Sequence, residues 1–278
     1  MNRLLCPIDF SEVSLNALEF AVAIAEKEQS EITLLNIFTR SDFNKILDSE
    51  NVDEQYEELL EIAEAKLKAI TEEILLEGRG KGLKDCTYEL RSGKTVDIIV
   101  EMAEELHIDL IVMGTTGHSS YDRKYLGGKA QSIIANTHSS VLCIPENANF
   151  HGIDHIIYAT DYQEEDKIAI QQLSQFGRVL NAHVEVLHVS HHNDTIDKAM
   201  FDEFKNELLG FVKPNGVSFD RVVFNHVADG LNDYMAQSEA DLLVLLNKKQ
   251  NFISTLFHRS LTQHLDKFTD YPLMVLKL

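Results

Sequence analysis

The chain is short of cysteines, bases and long apolar runs, and each shortage closes off a class of protein. Its three cysteines, Cys6, Cys86 and Cys143, are odd in number and widely spaced, which excludes a disulfide framework and the matched spacings of a zinc motif. Two of them lie in apolar runs, where a thiol serves as a small core residue. Lys and Arg total 25 against 45 Asp and Glu, a formal charge of -20. The deficit is shared, with acids against bases at 27 to 14 over residues 1–146 and 18 to 11 over the rest. Neither half carries the basic excess of a duplex-binding or anionic-membrane surface, so neither nucleic acid nor membrane is an expected partner. The longest apolar runs, such as Leu110 to Met113 and Leu242 to Leu246, fall far below the roughly 18 residues that span a bilayer and have the size of buried strands. The opening MNRLLCPIDFSE has no uninterrupted apolar segment of the secretory kind, and the expected location is cytoplasmic.

What remains is a chain of 278 residues, 44% hydrophobic and 25% charged, the balance of a globular protein with room for two modest domains or one large one. Short β-like runs alternate with longer segments of helical period, which calls for βαβ units and a parallel sheet. Strands are expected at Leu4 to Ile8, Ile32 to Phe38, Cys86 to Arg91, Asp109 to Met113 and Val141 to Ile144. Helices are expected after Ser11 and Glu12, at Leu59 to Leu75, at Thr95 to Leu106 and at Lys129 to Thr137.

The second half repeats the series. Asp9 matches Asp161 and Asn36 matches His188 at an offset of 152, while Asp109-Leu-Ile-Val matches Asp241-Leu-Leu-Val and Ser140-Val-Leu matches Pro272-Leu-Met at an offset of 132. Two anchors on each side holding one offset mark an internal repeat, and the difference assigns 20 extra residues to the first copy, between its second and fourth strands. Thr39 to Glu64, acidic and without a base between Lys45 and its end, is the expected seat of that surplus and reads as a solvated helix face after a long loop. Pro, two Asn and a Gly between Glu146 and Gly152 set the boundary, giving domains at 1–147 and 152–278.

In an open parallel sheet, ligands bind beyond the carboxyl ends of the strands where chain order reverses. The polar and glycine residues there are Pro7-Ile8-Asp9, Asn36-Ile37, Met113-Gly114-Thr115-Thr116-Gly117-His118, and Gly127-Gly128 opening a helix at Lys129-Ala130. Glycines after a strand permit close backbone approach, and a helix start offers N–H groups and a positive dipole end to phosphate. Together they describe a nucleotide crevice, with Asp9 accepting from ribose or base. Taken singly, Asp9 serves equally as a helix cap, Gly114 and Gly117 as turn residues, and Gly128 as a plain helix start.

With Gly114, Gly117 and Gly127 spaced as Gly-x2-Gly-x9-Gly after Asp-Leu-Ile-Val-Met, and with Pro7, Asp9 and Ser11 at the start followed by Asn16-Ala17-Leu18, the chain resembles a tandem universal stress protein. The resemblance covers nearly the whole chain in two copies. It implies an α/β fold of two tandem doubly wound five-stranded parallel-sheet domains, Rossmann-like and adenine nucleotide alpha hydrolase-like, with strand order 3-2-1-4-5. It also implies ATP or another adenine nucleotide as cofactor, with a divalent ion such as Mg2+ at the phosphates. Two departures stand out. Gly128 occupies the place of the family's Ser or Thr after the third glycine. In the second copy Leu246, Lys249 and Arg259 replace the three glycines, while Ser260 and Thr262 hold the helix start. The second domain is therefore expected not to bind ATP in the family manner, although Asp161 is retained, and to pack in place of a partner subunit.

Three other features carry less. Gly78-Arg-Gly-Lys-Gly82 follows a helix and precedes a strand, the wrong polarity for a phosphate cradle, and no Walker A pattern occurs. His188, His191, His192 and Asp194 read as a solvated loop rather than a zinc site. No Ser/His/Asp or Cys/His spacing points to nucleophilic catalysis. The expected function is a nucleotide-dependent sensor or regulator of a stress response; slow ATP hydrolysis or phosphotransfer and a nucleotide-free interaction scaffold are the alternatives. A protein partner is expected without its identity, and an exposed edge strand favours a homodimer.

Overall fold

The structure, a computed structural model, describes residues 1–38, 52–78, 80–115, 126–191, 195–212, 216–247 and 271–278, with the side chains of the second helix from Tyr56 onward. It forms two compact units, the first mainly Met1 to Val141 and the second mainly Leu142 to Leu278. The first comprises β1 (Arg3–Pro7), α1 (Glu12–Glu28), β2 (Glu31–Phe38), α2 (Val52–Gly78), β3 (Asp85–Ser92), α3 (Thr95–Glu105), β4 (Leu110–Gly114), α4 (Gly128–Asn136) and β5 (Ser140–Ile144). Its strand order is β3-β2-β1-β4-β5. The second comprises β6 (His155–Ala159), α5 (Glu164–Leu180), β7 (His183–Ser190), α6 (Thr195–Leu209), β8 (Val217–Val223), α7 (Val227–Ser238), β9 (Leu242–Leu246) and β10 (Leu273–Leu276), in the order β8-β7-β6-β9-β10. Both are doubly wound α/β units, and chain order reverses beside β1 in one and β6 in the other.

The sequence explains the elements locally. Ser11, extended, caps α1 by accepting from the Ser14 amide at 3.2 Å, and Gln29 in the left-handed region ends the helix. Between those ends Ala17, Phe20, Ala21 and Ile24 turn one face into the core. Leu4, Leu5 and Cys6 of β1 and Leu110, Ile111 and Val112 of β4 are wholly buried, as strands covered by helices on both faces must be. The outer strands β3 and β8 are largely half-buried.

The repeat seen in the sequence recurs bond by bond. Leu4 pairs with Leu110 and Leu5 with Ile111; Ile156 pairs with Leu242 and Ile157 with Leu243. Asp109 Oδ2 accepts from the amides of Asn2 and Arg3 at 2.5 and 3.1 Å, and Asp241 Oδ2 from those of Asp154 and His155 at 2.8 and 2.9 Å. The third strand departs slightly from the expected count. Ile32 pairs with Cys86 while its counterpart Val184 pairs with Val217, so the offset there is 131, and the surplus before β3 is 21 residues, one of which the second copy regains before β4. Helix α2 has 27 residues against 15 in α6, which takes up 12 of them. Part of the acidic segment, residues 39–51, lies outside the described residues.

All three thiols are buried. Burial pushes Cys143 up to about 12, burial with the neighbouring Asp85 charge does the same for Cys86, and Cys6 is raised further by burial. A thiol reagent added to the native protein at neutral pH is expected to label none of the three within minutes, and all three once the chain is denatured. Reading the reagent's absorbance before and after denaturation checks this.

Candidate functional site

In the first unit the candidate site lies where β1, β2 and β4 end and α1 and α4 begin. The amide of Ile8 donates to the Leu35 carbonyl at 2.8 Å, and Asn36 Nδ2 donates to the Ile8 carbonyl at 2.7 Å. This pair of bonds fixes the end of β1 beside β2. Asn36 and Ile8 are buried, and Pro7 and Ile37 are half-buried. Asp9 is exposed just beyond the strand and its Oδ1 accepts from the Ser11 amide and hydroxyl, at 3.1 and 2.5 Å. The capping question thus resolves in favour of Ser11: Asp9 braces the capping hydroxyl and presents its carboxylate at the mouth of the crevice.

Met113 is buried and Gly114 half-buried at the end of β4. A Cβ on Gly114 would lie 2.6 Å from Val13 Cγ1 in the first turn of α1. A Cβ on Gly127 would lie 2.5 Å from the Thr115 carbonyl oxygen, a backbone atom that cannot swing aside. Gly127 therefore lets the start of α4 close against the exit of β4. As N-cap it offers no side chain to the first turn, and no acidic residue stands there. Among the described residues no side chain caps the amides at the start of α4, which is the positive end of the helix dipole. Ala130 is buried and anchors the helix, while Gly128 and Lys129 are exposed. No atom of the described residues lies within 4 Å of a Cβ placed on Gly128. The structure thus gathers Pro7, Ile8, Asp9, Asn36, Ile37, Met113, Gly114, Gly127, Gly128, Lys129 and Ala130 at one edge. Thr116, Gly117 and His118 lie outside the described residues.

The equivalent edge of the second unit is built differently. Tyr162 repeats the left-handed backbone of Phe10, with φ of 67° against 62°, and its ring stacks on His188 at 4.0 Å. His188 Nδ1 donates to the Thr160 carbonyl at 2.8 Å, the bond that Asn36 makes in the first copy. Its Nε2 faces Asp197 Oδ1 at 3.4 Å, and Asp197 Oδ2 accepts from Arg221 Nε at 2.6 Å. His191 donates to the Asn225 carbonyl at 3.1 Å; His192 and Asp194 lie outside the described residues, as do Lys249, Arg259, Ser260 and Thr262. No group of three or more His, Cys, Asp or Glu placed to hold a metal occurs among the described residues. An open cavity of about 360 Å3 lies here, with Ala159, Leu187, Val227 and Leu231 as apolar wall and Asp161, His188, Ser190 and Asp197 among its polar lining.

The sequence did not disclose Asp166. It is fully buried at the start of α5 and accepts from Tyr158 Oη and Thr160 Oγ1, both at 2.8 Å, and from the Gln163 amide at 3.1 Å. In the sequence it stands in Glu-Glu-Asp-Lys and reads as an ordinary first-turn acid; only the Thr at 160 and Tyr at 158 hint at partners.

Burial draws the His188 pKa below its usual value, against the opposing pull of the Thr160 carbonyl and Asp197. For Asp197 burial works the other way, yet the Ser190 and Arg221 hydrogen bonds and the nearby positive charge hold its carboxyl below the usual range. Both native pKa values lie below the unfolded ones, so both groups contribute stability at neutral pH that is lost on acidification. His188 acts first, as pH falls from about 6.5 toward its lower native value. The second unit is expected to melt earlier at pH 5 than at pH 7, with the difference reduced in His188→Asn; thermal melts followed by circular dichroism across that window measure it.

The sequence model of the universal stress protein family matches residues 1–145. The chain belongs to the universal stress protein family. A universal stress protein of Methanocaldococcus jannaschii is 34% identical over 149 residues, which cover 51% of this chain and 81% of that relative. Among solved structures, a universal stress protein from Archaeoglobus fulgidus aligns with a TM-score of 0.73 at 18% identity, over 99% of this chain and 98% of that one. One from Pseudomonas aeruginosa aligns at 0.69 and 15%, over 100% and 93%. At those identities the two structures speak for the fold alone, and they do so across both units of this universal stress protein. No helix among the described residues is long and apolar enough to cross a membrane.

Proposed function

We propose that the first unit binds ATP or a related adenine nucleotide and that the protein acts in the cytoplasm as a nucleotide-dependent sensor or regulator. The observation that carries this is Gly127, whose missing Cβ allows the uncapped start of α4 to close on the Thr115 carbonyl. A helix whose first-turn amides no described side chain caps, with a positive dipole end and no acid in its first turn, suits phosphate, and the adjacent Lys129 adds charge. Asp9, exposed at the end of β1, supplies acceptors for ribose hydroxyls or a base amine, the half-buried Ile37 supplies apolar surface to the base, and Ile8 backs the site from the core. Thr116, Gly117 and His118 belong to the same proposed site by the family motif. The second unit, with Leu246 where Gly114 stands, takes no triphosphate. Mg2+ is proposed as a companion of the phosphates. Association of two chains through an outer strand, β3 or β8, would convey the nucleotide state to a partner.

The deciding experiment is to denature the purified protein and analyse the supernatant for released nucleotide, followed by calorimetric titration of the emptied chain with ATP. Released adenine nucleotide, or micromolar ATP binding weakened by Asp9→Ala, supports the reading. No released nucleotide together with no ATP heat would overturn it and favour a scaffold.

A further inference from the structure

β3 is the outermost strand of the first unit and lacks the features that usually blunt such an edge. It runs over Asp85–Ser92 without lysine or proline, and pairs with β2 in one unbroken register, from Glu31 opposite Asp85 to Phe38 opposite Ser92. One bond gives the direction of its backbone groups: the Gly93 amide donates to the Phe38 carbonyl. In a parallel ladder Phe38 bonds to the residues flanking its partner Ser92, so Gly93 and Arg91, and by alternation Glu89 and Thr87, turn their backbone groups toward β2. Cys86, Tyr88, Leu90 and Ser92 turn theirs outward, where among the described residues they have no backbone partner.

The side chains of this edge favour one partner. Glu89 and Arg91 share a face, with Arg91 Nε 3.2 Å from Glu89 Oε2 and the two side chains 45% and 41% exposed; Leu90 lies between them on the other face. Arg91 also reaches Glu105 at 3.9 Å, and its guanidinium has donors for a further carboxylate. A second copy of β3 laid antiparallel and centred on Leu90 sets Leu90 opposite Leu90 and Tyr88 opposite Ser92, the residues whose backbone groups face out. Glu89 of each chain then stands opposite Arg91 of the other, at the non-hydrogen-bonded positions where side chains approach most closely. Moving the centre by one residue sets Glu89 against Glu89 or Arg91 against Arg91. β8, the outer strand of the second unit, has no such match, because pairing about the midpoint of Val217–Val223 sets Asp220 against Asp220.

We infer that two copies of the chain associate through β3 in this antiparallel, two-fold register, with Glu89 and Arg91 as the residues that select it. The inference deepens the association proposed above by naming its strand and register, and it rests on that reading only for the link to nucleotide.

The test is sedimentation equilibrium of the full chain at concentrations up to near-millimolar, with Glu89→Arg, Arg91→Glu and the double exchange E89R/R91E, and circular dichroism melts to confirm folding. The natural protein is expected to sediment at twice the mass of one chain. Each single substitution turns both cross-strand pairs into like charges and should raise the dimer dissociation constant at least about tenfold. The double exchange restores opposite charges in the same register and should return the constant to within about threefold of the natural one. Mixing the two single variants should also restore a dimer, because each meets the charges the other lacks. Val223→Lys, at the exposed end of β8, should change nothing. A natural protein that stays monomeric overturns the inference, as does a dimer indifferent to the single substitutions, one that the double exchange fails to restore, or one lost in Val223→Lys. ATP titration of the same samples reads the first unit's site separately. A dimer without ATP binding supports this inference and overturns the nucleotide reading alone; ATP binding by a monomer does the reverse.

Discussion

Replacing Asp166 by alanine is expected to lower the melting temperature of the second unit by about 10 °C, the largest stability effect of any single substitution considered. The carboxylate is fully buried and gathers Tyr158 Oη, Thr160 Oγ1 and the Gln163 amide. Tyr158 is itself wholly buried and Thr160 nearly so. Alanine leaves those donors in a dry interior, where each unsatisfied group costs about 1–3 kcal/mol, and the sum is on the order of 3 kcal/mol or more. Asp166→Asn, which keeps one acceptor and the size, should lose less. Thr160→Val takes one donor from the carboxylate and one acceptor from the Tyr162 amide but leaves the other Asp166 bonds in place, and should cost less than the alanine substitution at Asp166. Differential scanning calorimetry of the three variants gives the order, and an Asp166→Ala chain that melts with the natural one would sink the account.

The second large effect lies in the first unit and on binding. Gly127→Val is expected to reduce ATP affinity by about a hundredfold or more, since a Cβ there meets the Thr115 carbonyl and must push the start of α4 off the end of β4. Gly128→Ala, one residue on, meets no atom of the described residues within 4 Å and should leave affinity within about twofold. Gly128→Ser should raise it, because the hydroxyl that this chain lacks can then reach phosphate beside the first-turn amides. The contrast between neighbouring glycines makes the measurement specific. General damage from a mutated loop would affect both positions, whereas a backbone contact affects one. Equal ATP titrations for Gly127→Val and the natural protein would remove the crevice from consideration.

Much of this was legible in the sequence because the signals are redundant. Runs such as Leu110 to Met113, buried on both faces, read as strands whatever surrounds them, and Ser11 announces a helix it does cap. The constant offsets of 152 and 132 had a physical basis in paired bonds, Asp109 with Asp241 and Asn36 with His188, which require those residues at those places. The illegible parts depend on burial or on single-residue slips. Asp166 looks like any acid at a helix start until its surroundings are known. The offset of 131 at the third strand is invisible because β3 and β8 are edge strands with no shared sequence signature to align. The cavity of the second unit was hidden for another reason: its walls are made by strand ends and α7, which glycine spacing does not report.

Asp109 and Asp241 hold a consequence for how such chains can be rearranged. Each takes the two amides that begin the first strand of its own unit, so each unit marks its own starting point from within, by a side chain roughly a hundred residues downstream. A gene that places residues 152–278 ahead of residues 1–147 would carry both of these internal start marks intact. The order of the two copies along the chain is, on that ground, a matter of history more than of folding, and a transposed chain is a practical way to learn what the present order contributes.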